Sequence, residues 1–402
     1  MQIKNLKLHS FRCFESLEIA FQPEVTLLFA DNGFGKTAII HALAMSFSTL
    51  PQAYRGMELS LSDLRHITVE RGGVYDREPA ADASITLQFV MEGDDYSITN
   101  KISRGKAGER SGSDLTELLN RREEKGRSLP IFAIYHSSRG WRDGHSEDPA
   151  VRGRFSGFVR ATDAGTELDA IRAWWRHQTE LRNDDKPVRA LDQCERAVQQ
   201  FLNSGQPPAW DPVLKDIAVH IPRLRARPTL GELSDGYRNM VGLVSDLARR
   251  AAQLNPDAPD DLLSVIQGIV AIDEIDLHLH PGWQREVLPG LRRAFPCVQW
   301  VVTTHSPQVL ASVTSNDDVI RLDRPDEAVH VRARDSNGIL LEMGTDLRPE
   351  AGNKMLQNLQ AAIDSGDFQG ARTFLDKLES EFWGSDAREV VNARTQLAIR
   401  SR

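Results

Sequence analysis

The chain opens on alternation. Ile3-Lys4-Asn5-Leu6-Lys7-Leu8 and Ser16-Leu17-Glu18-Ile19 set apolar against polar positions at a period of two, which predicts a pair of half-buried strands. Val25 to Phe29 is apolar on both faces and predicts a buried strand, and Thr37 to Phe47 then carries apolar residues at helical spacing. Ala83 to Val90 and Tyr96 to Ile102 flank Glu92-Gly93-Asp94-Asp95 and predict a hairpin. The polar, charged run from Gly105 to Ser128 predicts a flexible loop. Leu129 to Tyr135 predicts another buried strand, and a stretch rich in Trp, Arg and Glu reads as helical from Leu168 to Leu202. Val265 to Ile272 and Val298 to Val302 are strands without a polar face, as in a sheet covered by helices. Beyond Glu350 the pattern predicts three short helices, broken at Ser365-Gly366-Asp367 and Gly384-Ser385. Their Phe368, Phe374, Leu375, Leu378, Phe382 and Trp383 serve equally for docking a partner or for packing within the chain. There is no sustained heptad and no internal repeat.

Composition narrows the class. With 402 residues, 40% hydrophobic and 26% charged, the chain is long enough and apolar enough for two or three packed lobes, which excludes a fibre or a wholly disordered chain. A net charge of −8 excludes blanket attraction to nucleic acid, so DNA contact needs a local basic patch. The candidates are Lys101, Arg104, Lys106 and Arg110; Arg121, Arg122, Lys125 and Arg127; and Arg223, Arg225 and Arg227. Interspersed Asp and Glu make a solvated charged surface the simpler account of the first two groups. Cys13, Cys194 and Cys297 lie far apart with no paired spacing, which fits a reducing compartment and no structural zinc. No run approaches the roughly 20 apolar residues of a membrane span, and Met1 leads into an alternating strand instead of a signal-peptide core, so a cytoplasmic protein is expected.

Three separated segments carry the chemistry. Ala30-Asp31-Asn32-Gly33-Phe34-Gly35-Lys36-Thr37 lies between the buried strand and the helix, as a phosphate loop requires. Small residues let backbone N–H groups converge on phosphates, Lys36 adds a mobile positive charge and Thr37 presents a hydroxyl to Mg²⁺. Ala30 stands where the pattern has its first Gly, which is tolerable if its φ is negative. Ile269-Val270-Ala271-Ile272-Asp273-Glu274 ends a buried strand in two carboxylates; Asp273 is placed to hold Mg²⁺ and Glu274 to polarise an attacking water. A later strand ends in Thr303-Thr304-His305-Ser306-Pro307, which positions His305 to reach a γ-phosphate. Leu233-Ser234-Asp235-Gly236-Tyr237-Arg238 opens a helix, either as an ordinary Ser234-capped start or as a phosphate-facing terminus with Gly236 leaving the backbone open. Asp276, His278 and His280 admit a metal site as an alternative to contact with another chain.

Together these segments resemble the SMC- and RecF-like branch of the ABC ATPases. More narrowly they resemble the AAA-type bacterial ATPases that include PtuA of Septu and retron antiphage systems. Ile3 to Leu6, Ser10-Phe11-Arg12-Cys13-Phe14, Asn32 to Thr37, Ile272 to Pro281 and Thr303 to Pro307 carry the likeness. It implies an α/β ABC-ATPase (P-loop NTPase) head with a mixed sheet, an antiparallel N-terminal subdomain, an inserted helical lobe and a helical C-terminal tail. The expected division is an ATPase lobe at 1–135, the inserted lobe at 136–230, a second ATPase lobe at 231–348 and the tail at 349–402. By position, the resemblance makes Arg12, Asn32, Gly33, Gly35, Lys36, Thr37, Ser234 and Gly236 ATP-binding, Glu274 and His305 catalytic, Thr37 and Asp273 Mg²⁺ ligands, and Asp276 and His278 part of an interface loop. Surface or ion-pair roles for Arg12 and Arg139 stay open beside this. Tyr135 to Arg139 takes the place of a loop that usually offers a Gln, and this chain has none there.

The implied cofactors are ATP and Mg²⁺. The implied assembly is a homodimer or higher oligomer with an HNH nuclease partner, with DNA or retron DNA and RNA as further candidates and no membrane. The expected function is an ATPase subunit of antiphage defence. A RecF-like DNA-repair ATPase and an ATP-gated dimerisation scaffold are the alternatives.

Overall fold

The computed structural model describes residues 1–50, 58–71, 74–106, 108–138, 153–164, 168–186, 188–222, 227–314, 317–324, 327–331, 350–379 and 388–400. The chain divides into two compact units, Met1–Arg334 and Asp335–Arg402.

In the first unit the alternating start forms β1 (Gln2–Phe11) and β2 (Phe14–Ala20), paired antiparallel. With β6 (Asp82–Met91), β7 (Asp94–Ser103) and β8 (Glu109–Gly112) they make a five-stranded sheet in the order β2-β1-β6-β7-β8. A side hairpin joins β4 (His66–Arg71) to β5 (Val74–Pro79). The uniformly apolar runs form the second sheet, six-stranded in the order β15-β14-β3-β13-β12-β9. Its members are β3 (Val25–Phe29), β9 (Ile131–Tyr135), β12 (Gly268–Ile272), β13 (Val298–Thr304), β14 (Asp318–Arg324) and β15 (Glu327–Val331). All neighbours are parallel except β14 and β15. Helix α1 (Lys36–Ser46) shares one core cluster with both sheets; Ile39, Ile40, Leu43 and Phe47 are fully buried with Phe89 and Ile98 of one sheet and Ile134 and Ala271 of the other. A helix apolar nearly all round belongs in such an interior.

The run from Gly105 to Ser128 is not a flexible loop throughout. It contains β8 and α2 (Leu115–Glu124), capped by the Asp114 carboxylate on the Thr116 and Glu117 N–H groups. Leu115 and Leu119, one turn apart, are completely buried while the remaining face is charged. Two anchors suffice to dock a short helix whose mean composition is polar. The strand expected from Val265 begins later, because Leu262–Val265 is a short helix and β12 starts at Gly268. There the backbone of Ile131 leaves no space for a Cβ.

The helical stretch divides into α3 (Leu168–Asn183) and α4 (Arg189–Leu202), and α4 packs on α5 (Asp235–Leu254). A short hairpin of β10 (Ala209–Asp211) and β11 (Asp216–Ala218) follows. Helix α5 holds a buried charge network. The Asp246 carboxylate accepts the Tyr135 hydroxyl at 2.7 Å and Arg250 Nε at 2.7 Å, and Arg250 also donates to the Gly157 and Val159 carbonyls. Burial opposes ionisation of Asp246, but the Arg250 and Arg249 guanidiniums prevail and its carboxyl stays below the ordinary range. Burial first, then the Asp246 charge, drives the Tyr135 phenol well above its usual value. The network ties α5 to the end of β9.

In the second unit α10 (Glu350–Ser365), α11 (Phe368–Lys377) and α12 (Arg388–Arg400) enclose a small core of their own. Leu375 and Leu378 lie inside it, with Phe368 and Phe374 packed against it, so these residues serve intramolecular packing. Phe382 and Trp383 lie outside the described residues.

Asp246→Ala strands Arg250 in the interior without its counterion and is expected to cost about 3–5 kcal/mol, against about 1 kcal/mol for Tyr135→Phe. Urea unfolding of the two variants beside the parent measures both values.

Candidate functional site

The parallel order β3-β13-β12 brings three chain segments to one carboxyl edge, where α/β sheets gather ligands. The loop after β3 turns through Gly33 at φ 88° and Gly35 at φ 95°, a region that side chains disfavour. Nothing lies within 4 Å of a Cβ built on Gly33, whereas one on Gly35 would stand 2.3 Å from Phe14 Cζ and 2.7 Å from Cys13 Sγ. The β1–β2 turn therefore supports this loop from below. Ala30 is not among the positive-φ residues, so its methyl is accommodated. Its carbonyl accepts the Lys36 ammonium at 2.7 Å, and the Asp31 carbonyl does so at 3.1 Å. Burial lowers the Lys36 pKa, while Asp273 and Glu274 pull in the opposite direction. Asn32 is exposed at the loop's crest, and the N-terminus of α1 has no side-chain cap.

Asp273 is 1% exposed and held on all sides. Its carboxylate accepts Thr37 Oγ1 at 3.0 Å and Thr303 Oγ1 at 2.7 Å, and its N–H donates to the Tyr135 carbonyl at 2.8 Å. Glu274 follows in the left-handed region at φ 51°, its N–H on Thr303 Oγ1 at 2.8 Å. Non-glycine residues rarely adopt that conformation, and here it turns the chain sharply off the strand. Asp276 accepts the Thr304 hydroxyl and, at 3.4 Å, the His305 N–H. The His305 imidazole makes no hydrogen bond among the described residues and is partly exposed.

Ser234 occupies the N-cap of α5, is exposed, and makes no side-chain capping bond, so the ordinary capped start is not what forms. Gly236 is needed for close approach: a Cβ there would lie 2.4 Å from the His278 carbonyl oxygen. The signature segment thus rests on the Asp276–Leu279 loop of its own chain, where His278 is exposed at φ 62°. The His280 ring instead caps the Gly282 N–H at 3.2 Å. Among the described residues no group of three or more His, Cys, Asp or Glu is placed to hold a metal ion, so Asp276, His278 and His280 do not assemble one.

Arg12, at φ 52°, donates Nε to Asp63 at 2.9 Å and Nη1 to His41 Nδ1 at 2.6 Å. Burial, then Arg12 and His136, lower the His41 pKa to about 4. The neutral ring is therefore an acceptor, one helical turn beyond Thr37. Sequence reasoning missed His41 and Asp63; spacing of four from Thr37 was the available signal for the first. Arg139 lies outside the described residues, as do Arg223 and Arg225. Of the other basic candidates, Lys101 pairs with Asp82, Arg121 with Glu117, and Arg122 and Arg127 with Glu92. Arg110 donates to Ser48 and the Ser46 carbonyl, and Arg227 to the Pro207 carbonyl.

A glycine-containing loop whose threonine meets the carboxylate of a neighbouring strand, with a histidine at the same sheet edge, has the arrangement of a P-loop fold. Residues 5–163 match an AAA-domain family, and residues 125–311 match a second AAA-domain family, whose description names the AbiEii toxin of a type IV TA system. The Retron Vc95 probable ATPase of Vibrio cholerae is 23% identical over 78% of this chain and 72% of its own length. The Septu protein PtuA of Bacillus mycoides is 35% identical over 82% of this chain, which spans only 42% of that relative. The SMC head domain from Thermotoga maritima is 18% identical with a TM-score of 0.48, covering 83% of this chain and 100% of that one. Parts of the chain thus match two AAA-domain families, and it is similar to a retron ATPase and to Septu PtuA.

The His41 shift has a pH consequence. Above pH 6.5 the ring is neutral in both the folded and unfolded chains; between 6.5 and about 4 the unfolded chain takes up a proton that the folded chain refuses. Stability is thus fully present above 6.5 and is lost as pH falls through that window. Thermal midpoints recorded from pH 7 to 4 should decline less steeply for His41→Gln than for the parent.

Proposed function

We propose that this chain binds and hydrolyses ATP with Mg²⁺, that two copies close head to tail around two nucleotides, and that the cycle regulates a separate HNH-type nuclease in cytoplasmic antiphage defence. The observation that carries the reading is the 3.0 Å hydrogen bond from Thr37 to Asp273, two residues 236 apart in sequence. The names of the retron and Septu relatives support the defence role. Among the described residues no helix is long and apolar enough to cross a membrane.

In this reading the Thr37 hydroxyl and the Asp273 carboxylate form the place for Mg²⁺, and the residues fit it, since a hard cation takes oxygen ligands and keeps several waters. When bound, Mg²⁺ neutralises phosphate charge and orients the terminal phosphoryl group. Lys36 leaves the Ala30 and Asp31 carbonyls for phosphate oxygens, which compensate the ammonium better than neutral carbonyls do. Gly33 and Gly35 let the loop N–H groups face the same anion, and Arg12 approaches it from the β1–β2 turn. Glu274 accepts the proton of the attacking water, and His305 donates to the γ-phosphate.

The open N-terminus of α5, with Ser234 and Gly236, caps the nucleotide of the second copy, while Asp276 and His278 face that copy. ATP that touches both chains only in the closed state has the differential affinity needed to drive closure. The lobe at 136–230 follows through Arg250, which donates to the Gly157 and Val159 carbonyls.

Glu274→Gln is expected to retain ATP while phosphate release slows about 10²-fold or more. Equilibrium binding and a turnover assay on the same preparation measure this, and unchanged turnover would overturn the assignment of the base. For the defence role, a stoichiometric HNH nuclease on tagged protein from its native locus is the expected result. Recovery of DNA and repair factors without a nuclease would favour the RecF-like alternative.

A further inference from the structure

The segment from Pro281 to Gln284 forms a single turn, α7, between the Asp276–Leu279 loop and the helix that follows. Its last side chain is engaged at both ends. Gln284 Oε1 accepts Ser306 Oγ at 2.7 Å, and Gln284 Nε2 donates to the Leu279 carbonyl at 2.9 Å. Ser306 directly follows His305, is 5% exposed, and its oxygen also receives the Gln308 and Val309 N–H groups that begin the next turn. The residue before His305 is fixed in the same way, since the Thr304 hydroxyl sits on Asp276 and accepts the Ser306 N–H at 2.9 Å. The backbone on both sides of His305 is thus fastened to one loop, by Asp276 on one side and by Gln284 on the other. The His305 ring itself has no hydrogen-bond partner among the described residues, so its direction is inherited from that backbone.

The neighbouring side chain points the same turn toward the signature helix. Trp283 donates its indole N–H to the Tyr237 hydroxyl, with the two rings edge to face at 4.3 Å. Tyr237 lies in the first turn of α5, beside Gly236.

We infer that Gln284 is a positioning residue for His305, holding the imidazole toward the phosphate edge and linking its placement, through Trp283 and Tyr237, to the start of α5. The inference rests on the proposed ATPase reading and adds a residue to it. Gln284 touches no reacting atom; it acts by fixing Ser306.

The test is a double-mutant cycle on ATP turnover in the full chain. Gln284→Met keeps length and volume but removes both hydrogen bonds, and should slow turnover roughly tenfold, the rate equivalent of one lost hydrogen bond. ATP affinity should stay within about twofold, since binding rests on the phosphate loop. Gln284→Glu keeps the acceptor for Ser306 and should restore most of the rate. In a His305→Ala background, Gln284→Met should have no further effect, which a purely structural role would not produce. An equal slowing in both backgrounds, or none in the parent, would overturn the inference. Ser306→Ala, which removes the other partner, should slow turnover in the same direction if Gln284→Met fails to fold, and unchanged turnover in that variant would count against the inference equally. A parent that does not hydrolyse ATP would overturn the ATPase reading and this inference with it, whereas a His305→Ala variant as fast as the parent would overturn the role of His305 and this inference while the ATPase reading stands.

Discussion

The structure turns on one buried carboxylate. Asp273 is almost wholly removed from water, and an acidic side chain in such a place is tolerable only when its oxygens have hydrogen-bond partners. Here two threonine hydroxyls are those partners, Thr37 from the first turn of α1 and Thr303 from β13. Both are supplied with β3, β13 and β12 side by side in that order, so this one group ties together the centre of the sheet. The same constraint gives the site its shape. A hydroxyl and a carboxylate oxygen at hydrogen-bond distance leave a pair of hard oxygen donors at the sheet's edge, beside a loop with open space where a Cβ on Gly33 would stand.

Around that carboxylate the backbone bends in ways that ordinary strands and helices avoid. Gly33 and Gly35 adopt left-handed angles at no steric cost, but Arg12, Glu274 and His278 adopt them as well. Residues with a side chain persist there only when their surroundings over-determine them. For Glu274 the Thr303 hydroxyl on its N–H does so, for Arg12 the Asp63 carbonyl and carboxylate, and for His278 the packing of Gly236.

The sequence disclosed those parts of the molecule whose signal is local. Val25–Phe29, Ile131–Tyr135 and Val298–Thr304 are apolar on both faces and are strands of the covered sheet, and the motif residues at their ends come together as their spacing implied. What stayed hidden depends on distant partners. Helix α2 is docked by two leucines in a charged run, which resembles a solvated loop until the sheet beneath it is known. Asp246 and Arg250 are spaced as an exposed helical ion pair, and only the packing of β9 and the Gly157 segment turns that pair inward. His41 and Gln284 carry no motif; each acquires a partner, Arg12 or Ser306, that folding alone brings near. The three tail helices were legible as helices, and the partition of their apolar residues became clear only from the small core they enclose.

The strand order also bears on how the molecule is made. Strand β3 is made well before its neighbours in the sheet, β13 and β14, which are encoded near the far end of the first unit. Until those residues leave the ribosome both edges of β3 are open, and the phosphate loop it carries has no carboxylate opposite it. The antiparallel sheet β2-β1-β6-β7-β8, built wholly from early residues, can form in that interval and cover α1 on one side. A nascent chain therefore holds half of its polar edge long before the other half exists, and competence at that edge arrives only once β12 and β13 have been made rather than growing with chain length.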